Sequence, residues 1–265
     1  MIGAIGGDII GSVFELHNTT TTDFKLFSRW SHYTDDTILT LAIADAIMTG
    51  EEYGPKLRKW YRLYPDRGYG PGFSKWAASD IAKGRRSHGN GSAMRVSPIG
   101  FAFNTLDRVL EEAKKSALPS HNYPEAIKGA ESVAAAIFLA RTGSSKEYLK
   151  EYIEKTFGYN LNKSLNEYRR YPKHDSSCRG SVPPALVAFL KSDGYVDAVR
   201  KAVSVGGDSD TIACMAGGIA EAYYGGVPDE IRERVLGMLD QKLHGIAARF
   251  SEKFILWRYQ CQERS

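Results

Sequence analysis

Hydrophobic positions along this chain recur with the period of helices. Apolar residues stand three and four positions apart in most segments, whereas alternation at every second position is almost absent. The segment 105–117 is typical, because Leu106, Val109, Leu110 and Ala113 fall on one face of a helix. The pattern predicts an all-α protein with eight or more helices, no sheet and no internal repeat.

Turn and capping residues give approximate bounds for these helices. Gly50 is a typical C-terminal stop for the second helix, and both prolines of the segment 181–191 fall in its first turn. The polar and aromatic connection 17–32 is unusually long, so it is either a lid or an ordinary packed loop. The predicted helices span 2–16, 34–49, 55–65, 74–83, 105–117, 145–157, 181–191, 194–203, 228–243 and 245–257.

Composition narrows the class of protein. A chain of 265 residues with 43% hydrophobic and 25% charged residues predicts a single globular domain over residues 1–265. The net charge of +4 is spread along the chain and does not favour nucleic acid. We interpret the basic residues at 83, 85 and 86 as a solvated face or loop.

Cysteine spacing and hydropathy predict the compartment and the membrane behaviour of the protein. The three cysteines, Cys178, Cys214 and Cys261, lie far apart without a CxxC pair, which favours neither a disulfide framework nor a zinc site. The N-terminal stretch lacks the basic region of a signal peptide, and no apolar stretch is long enough to span a bilayer. We therefore expect a cytoplasmic monomer with no membrane partner.

The strongest candidate chemistry lies at 206–211, where the sequence GGDSDT runs into a helix of small apolar residues. Asp208, Asp210 and Thr211 would then lie on or next to the first helical turn. Carboxylate and hydroxyl oxygens are the ligands that Mg²⁺ and Mn²⁺ prefer. The alternative interpretation is a helix N-terminus whose acidic residues are favoured by the helix dipole.

A second acidic stretch favours the metal interpretation. The sequence TDDT at 34–37 also precedes an apolar helix, and Glu15 ends the first predicted helix. Carboxylates that share one small volume repel one another and raise each other's pKa, and two divalent cations would roughly balance their charge. We predict a two-metal site formed by five carboxylates: Glu15, Asp35, Asp36, Asp208 and Asp210.

A glycine loop and a histidine complete the candidate residues. The sequence GNGSAMRV at 89–96 is a glycine loop that enters a helix, and backbone N–H groups in such a loop can bind an anion. His121 opens a later helix in the sequence SHNYPE, where its simplest role would be a cap or a packed turn residue.

Taken together, these motifs resemble those of the ADP-ribosylglycohydrolases of the dinitrogenase-reductase-activating glycohydrolase type. The resemblance rests on Gly7-Asp8 followed by Glu15, on TDDT at 34–37, on GNGSAMR at 89–95, on His121 with Pro124, and on GDSDT at 207–211. The family usually has threonine where this chain has Ser209.

The resemblance implies a compact all-α fold with two Mg²⁺ or Mn²⁺ ions in a central cleft. It assigns Glu15, Asp36 and Asp210 to catalysis and places the region of Gly129 and Ala130 near adenosine. The loop would hold the diphosphate of ADP-ribose, with His121 near the phosphates or the distal ribose. The implied metal ligands are Thr34, Asp35, Asp36, Asp208, Asp210 and Thr211, and the implied substrate-binding residues are Gly89, Asn90, Gly91, Ser92 and His121.

The expected reaction is hydrolysis of the glycosidic bond between ADP-ribose and a modified target, with an arginine or serine side chain as the expected attachment. Such a bond breaks through an oxocarbenium-like transition state, and a carboxylate removes a proton from the attacking water. Asp36 and Glu15 are both candidates for that base. The alternatives are a non-catalytic ADP-ribose-binding pseudoenzyme and a two-metal nucleotide phosphoesterase.

Overall fold

A computed structural model describes residues 1–79, 84–169 and 175–256. Within these ranges all regular elements are helical, and the β pairing found there is a single antiparallel bridge between Gly89 and Ser177. The prediction of an all-α fold is therefore confirmed. The predicted helical residues 80–83 and 257, together with Cys261, lie outside the described residues.

The described part of the chain forms a succession of mostly short helices. A 3-10 turn, Ser12–Phe14, follows the first helix, and a π-helical segment, Glu252–Leu256, follows the last. None of the described helices has the length and apolar character needed to cross a membrane. In chain order the helices are α1 Ile2–Gly11, α2 Asp35–Thr49, α3 Tyr53–Leu63, α4 Pro71–Ala78, α5 Gly91–Met94, α6 Ser97–Ala102, α7 Leu106–Ala117, α8 Pro124–Arg141, α9 Lys146–Phe157, α10 Leu165–Arg169, α11 Cys178–Leu190, α12 Tyr195–Val203, α13 Ser209–Tyr224, α14 Asp229–Met238 and α15 Gln241–Ser251.

The core is organised around α13. Its residues from Ser209 to Ala222 are all buried, and it packs against α1, α8, α11 and α12. A helix surrounded by protein on every side needs an apolar surface all round, which the small residues of this segment provide. The acidic first turn of α13 is therefore carried into the interior by a helix that is buried over most of its length.

Glycines allow α1 and α13 to approach closely. A Cβ atom added at Gly7 would stand 2.0 Å from the carbonyl oxygen of Ala213, and one added at Gly11 would stand 2.5 Å from the Cα atom of Asp210. These glycines are four residues apart, so they lie on one face of α1. The contact holds the end of α1, and the turn that leads to Glu15, against the first turn of α13.

Several predicted helix bounds are wrong: the helix predicted at 2–16 ends at Gly11, and the helix predicted at 245–257 begins at Gln241. The helix predicted at 181–191 begins at Cys178, because the Ser177 side chain accepts a hydrogen bond from the Gly180 N–H and caps it there. Its prolines consequently lie inside the helix. The helix predicted at 228–243 ends at Met238, because Asp240 caps a new helix that starts at 241. The helix predicted from residue 74 already begins at Pro71.

Candidate active site

A cavity of about 430 Å³ opens where the N-termini of α2 and α13 meet the glycine loop. This volume is within the range of small-molecule sites. Nearly all predicted site residues line it, together with residues 68–73. The lining side chains and glycines predicted from the sequence are Glu15, Thr34, Asp35, Asp36, Gly89, Asn90, Gly91, His121, Asp208, Asp210 and Thr211.

The N-terminus of α2 is held in place by Asp8, a fully buried residue of α1. One Asp8 oxygen accepts a hydrogen bond from the Thr34 hydroxyl at 2.7 Å. The other accepts the Thr34 and Thr37 backbone N–H groups at 3.0 and 3.1 Å and the Thr37 hydroxyl at 2.5 Å. The sequence marks Asp8 only as part of a motif, because nothing local indicates that its partners lie 26 and 29 positions away.

The Thr34 hydroxyl, a predicted metal ligand, makes two hydrogen bonds. It donates to Asp8 and accepts from the Asp36 N–H at 3.2 Å, as the N-cap of α2. These contacts use the hydroxyl hydrogen and one lone pair, so the Thr34 oxygen keeps one lone pair with which it could bind a metal ion.

Two positive-φ glycines shape the entry to α13. Gly206 and Gly207 have φ angles of 76° and 73°, a left-handed conformation that glycine adopts readily and that gives the chain a tight entry into α13. The Asn18 side chain accepts the Gly207 N–H at 2.8 Å and donates to the Gly207 carbonyl at 3.0 Å. The Thr211 hydroxyl then donates to Asp36 at 3.2 Å. The two acidic helix N-termini are thus joined directly.

We call Glu15, Asp35, Asp36, Asp208 and Asp210 the acidic wall of the cavity. Carboxylate oxygens of Glu15, Asp208 and Asp210 lie within 4.8 Å of one another. Burial, followed by repulsion from neighbouring carboxylates, raises the pKa of Asp35, Asp36 and Asp210 well above the ordinary value. Ionising all of these carboxylates with no cation bound is therefore energetically unfavourable.

The acidic wall fits a divalent cation. The Oδ1 atom of Asp36 is buried and has no hydrogen-bond partner among the described residues. A buried carboxylate oxygen without a donor is costly, and hard divalent cations bind such oxygen sets. The chemistry of the donor atoms, the crowding of charge and this unpartnered oxygen all agree with the predicted metal-binding role.

Another part of the cavity lining lies on and beside the glycine loop, and we call Arg85, Gly89, Gly91 and His121 the donor wall. The Gly89 N–H itself donates to the Ser87 hydroxyl at 3.2 Å. The glycine loop is fixed to the start of α11 by the Gly89–Ser177 bridge and by the Asn90 N–H, which donates to the Ser176 carbonyl at 2.8 Å. Arg85 is the single lysine or arginine among the described lining residues. Its position in the cavity corrects the interpretation of Arg85 as part of a solvated face. Arg85 and the exposed Arg86 do lie in a loop, and residue 83 is outside the described residues.

Two of the predicted substrate-binding residues have other contacts. The Asn90 side-chain NH₂ donates to Asp208 at 2.7 Å and to the Ser181 hydroxyl at 2.9 Å, so this amide crosses to the acidic wall. The Ser92 side chain is fully buried and donates to the Ala126 carbonyl at 2.9 Å, and Ser92 does not line the cavity. The Ser92 hydroxyl therefore ties the loop to α8.

The region expected near adenosine is also packed. Gly129 lies against Cys178, whose Sγ atom would be 2.5 Å from a Cβ atom at position 129. Neither Gly129 nor Ala130 lines the cavity. Ser87 and Ser176, which belong to none of the sequence motifs, line the cavity.

His121 contributes an imidazole ring to the donor wall. Its Nδ1 atom lies 2.8 Å from the Ser120 hydroxyl, and its Nε2 atom would be 3.0 Å from a Cβ atom at Gly91. Burial, followed by the positive charges of Arg95 and Arg85, lowers the pKa of His121 well below its ordinary value. The ring is consequently neutral at pH 7.

Comparison with known proteins identifies the family to which this all-α fold and its acidic cavity belong. The family model for ADP-ribosylglycohydrolase matches residues 1–260. The chain belongs to the ADP-ribosylglycohydrolase family.

Relatives with assigned names extend this finding. The chain is similar to ADP-ribosylhydrolase ARH3 of Mus musculus and of Homo sapiens, each 27% identical; the alignments cover 93% of this chain and 90% and 92% of those proteins. ADP-ribosylarginine hydrolase Tri1 of Pseudomonas putida is 26% identical over 77% of this chain and 62% of its own length. A solved structure described as an ADP-ribosylglycohydrolase-related protein complex is 25% identical and superposes with a TM-score of 0.70, covering 95% of this chain and 96% of that one.

Proposed function

We propose that this protein is a divalent-metal-dependent hydrolase that releases ADP-ribose from a modified target. The observation that carries the proposal is the pairing of two walls in one cavity of about 430 Å³. The acidic wall suits cations that grip ribose hydroxyls, and the donor wall suits a diphosphate. A substrate that combines a diphosphate with a ribose matches both walls at once.

The acidic wall would hold two Mg²⁺ or Mn²⁺ ions through Asp35, Asp36, Asp208 and Asp210, with the hydroxyls of Thr34 and Thr211 as neutral ligands. When bound, such ions orient sugar hydroxyls and polarise water near neutral pH. The residues of the chain supply the remaining requirements, which are a proton acceptor and a fixed position for the sugar.

We assign the proton acceptor to Glu15. It lies at the end of the 3-10 turn after α1, is half-buried and lines the cavity. Asp36, the other candidate, is 2% exposed and accepts a hydrogen bond from the Thr211 hydroxyl. Because it is held in this way, it is better suited to be a metal ligand in a fixed position. A base must reach water and change its protonation state during the reaction, which favours the less confined carboxylate.

The linkage is the finer part of the proposal. Arginine- and serine-linked ADP-ribose present the same ribose to the acidic wall, and either fits the cavity chemistry described above. The name of the Pseudomonas putida relative supports arginine as the first linkage to test. No membrane or nucleic-acid partner is needed by this chemistry.

The test is a release assay on arginine- and serine-ADP-ribosylated proteins with Mg²⁺ or Mn²⁺, with products identified by mass. We expect free ADP-ribose, and we expect chelation to abolish its release. Asp210→Ala should lower the rate about a hundredfold or more, because removing a ligand to a catalytic ion costs several kcal/mol. Circular dichroism would verify that the variant is folded.

The other outcomes identify the alternatives. Tight ADP-ribose binding without cleavage of any linkage would indicate a pseudoenzyme, and AMP or free phosphate as product would indicate a phosphoesterase. A second variant separates the two carboxylates: Glu15→Gln should slow hydrolysis while cation and ADP-ribose binding persist, whereas Asp36→Asn should weaken cation binding as well.

A further inference from the structure

Behind the donor wall, three polar side chains form a buried chain of hydrogen bonds. Arg95 and Ser120 are fully buried, and His121 is 5% exposed. The Arg95 Nη2 atom donates to the Ser120 hydroxyl oxygen at 2.9 Å and to the Ser116 carbonyl at 2.9 Å. The Ser120 Oγ atom in turn lies 2.8 Å from the His121 Nδ1 atom.

The chemistry of these groups determines the position of one proton. A guanidinium has donors and no acceptor, so the Ser120 oxygen must accept from Arg95. The Ser120 hydroxyl hydrogen then needs an acceptor, since a buried polar group without a partner is costly. Nδ1 of His121 is the acceptor within reach. A neutral imidazole that accepts at Nδ1 carries its proton at Nε2.

The Nε2 side of the ring faces the glycine loop. A Cβ atom added at Gly91 would stand 3.0 Å from Nε2, and one added at Gly89 would stand 3.5 Å from it. His121 and both glycines line the same cavity. The ring therefore turns its hydrogen-bond donor towards the place where the loop would hold a diphosphate.

Arg95 is able to perform this role at neutral pH. Burial lowers the pKa of its guanidinium to about 9, with the charge of Asp35 opposing part of the change. The group is still a cation at pH 7 and still donates to Ser120. Two of its other nitrogens, Nε and Nη1, have no partner among the described residues, so hydrogen bonding does not by itself account for its burial.

We propose that Arg95 and Ser120 are positioning residues that hold His121 as an Nε2–H donor, which binds an oxygen of the diphosphate or of the neighbouring ribose. The identity of the ligand rests on the proposed function, whereas the position of the proton rests on the buried hydrogen bonds alone. His121 in this role donates one neutral hydrogen bond and transfers no proton.

Ligand binding tests the role of the donor. Ser120→Ala removes the group that fixes the ring, and we expect ADP-ribose to bind about tenfold more weakly, with KM raised and kcat little changed. Ser116→Ala is the matched control, because it removes a buried serine hydroxyl while keeping the carbonyl that Arg95 uses. We expect wild-type affinity from this control.

A pair of substitutions at His121 separates the two ring nitrogens. The amide of His121→Gln can place an N–H near the position of Nε2, whereas the shorter side chain of His121→Asn places it near Nδ1. We expect His121→Gln to retain most of the affinity for ADP-ribose and His121→Asn to lose it to the same degree as Ser120→Ala. Equal losses in both variants would contradict a donor at Nε2.

The proton itself is observed by ¹⁵N NMR of the histidine side chains, with the signals of His121 assigned by their absence in His121→Gln. We expect a single neutral form protonated at Nε2 in the wild type and a mixture of both tautomers in Ser120→Ala. Protonation at Nδ1 in the wild type would overturn the proposal. This measurement needs no ligand, so a failure to bind or cleave ADP-ribose would refute the proposed function and leave the positioning test standing.

Discussion

The two walls of the cavity differ in how their polar groups are satisfied. On the acidic wall, five carboxylates line one cavity, and one Asp36 oxygen has no partner among the described residues. On the donor wall, the glycine loop is fixed by backbone hydrogen bonds and His121 is held by Ser120. The acidic wall is therefore suited to the cations proposed above, whereas the donor wall is held in place by the protein's own hydrogen bonds.

Asn90 connects the two walls. Its backbone belongs to the loop of the donor wall, while its side-chain amide donates to Asp208 on the acidic wall at 2.7 Å. This contact gives the cavity a direct physical route by which a ligand on one wall could influence the other. The predictions below disturb first the support of the acidic wall, then the link, and finally the donor wall.

The largest effect is expected where α1 supports the acidic wall. Gly7→Ala would place a Cβ atom 2.0 Å from a backbone carbonyl of α13, and two packed backbones cannot move apart cheaply. We expect the free energy of unfolding to fall by about 3 kcal/mol or more, measured by urea denaturation.

Gly245→Ala is the matched control for this experiment. Gly245 lies inside α15, and a Cβ atom added there would meet nothing within 4 Å. Because alanine has the higher helix propensity, this variant should be more stable by up to about 1 kcal/mol. A similar loss of stability in both variants would show that the close approach of α1 and α13 is not what limits position 7.

The local signals in the sequence predicted much of the fold. The helix predicted at 34–49 is confirmed because a threonine N-cap and a glycine in the left-handed region mark its ends, and both act within a few residues. The start of α11 was missed because its cap, Ser177, lies in a polar stretch where apolar periodicity gives no guidance. Capping by Asp240 is missed for the opposite reason, because apolar residues at helical spacing continue past it at Leu239, Leu243 and Ile246.

The site residues also divide into those that local sequence patterns indicate and those that they do not. The acidic pairs are visible because each is a short run before an apolar helix. Asn90 and Asp208, by contrast, are 118 positions apart, and Arg95 meets Ser120 across 25 positions. Contacts of this kind follow from how helices pack, which no local pattern specifies, so the supporting residues could not be assigned from the sequence.

A comparison of two threonines on α2 tests the support that Asp8 gives to the acidic wall. Thr37 and Thr40 are both fully buried; the Thr37 hydroxyl donates to Asp8, whereas the Thr40 hydroxyl has no partner among the described residues. Thr37→Val should lower the free energy of unfolding by about 1.5–3 kcal/mol, because it removes a hydrogen bond to a charged group. Thr40→Val should be neutral or slightly stabilising. Equal losses of unfolding free energy in the two variants, measured by denaturation, would show that the contact with Asp8 is not the cause of the loss at Thr37.

The link between the walls is tested at Asn90. Asn90→Ala leaves Asp208 without its amide donor, and we expect Mg²⁺ or Mn²⁺ to bind about tenfold more weakly by calorimetry, as losses of supporting contacts to metal ligands commonly do. Ser181→Ala removes the other partner of the same amide and should change cation affinity little. Unchanged cation affinity in Asn90→Ala would mean that the two walls act independently.

The smallest effect is expected on the donor wall and concerns pH. Because the folded-state pKa of His121 lies well below its ordinary value of 6.5, the stability that it contributes is complete above that value and is lost as pH falls. At pH 6 the loss cannot exceed about 1 kcal/mol, however low the folded pKa lies. Unfolding free energies measured between pH 7 and about pH 5.5 should therefore decline more steeply for the wild type than for His121→Gln. The same slope in both proteins would mean that the ring takes up a proton in the folded state as readily as in the unfolded state, and the donor wall would then not hold a neutral histidine.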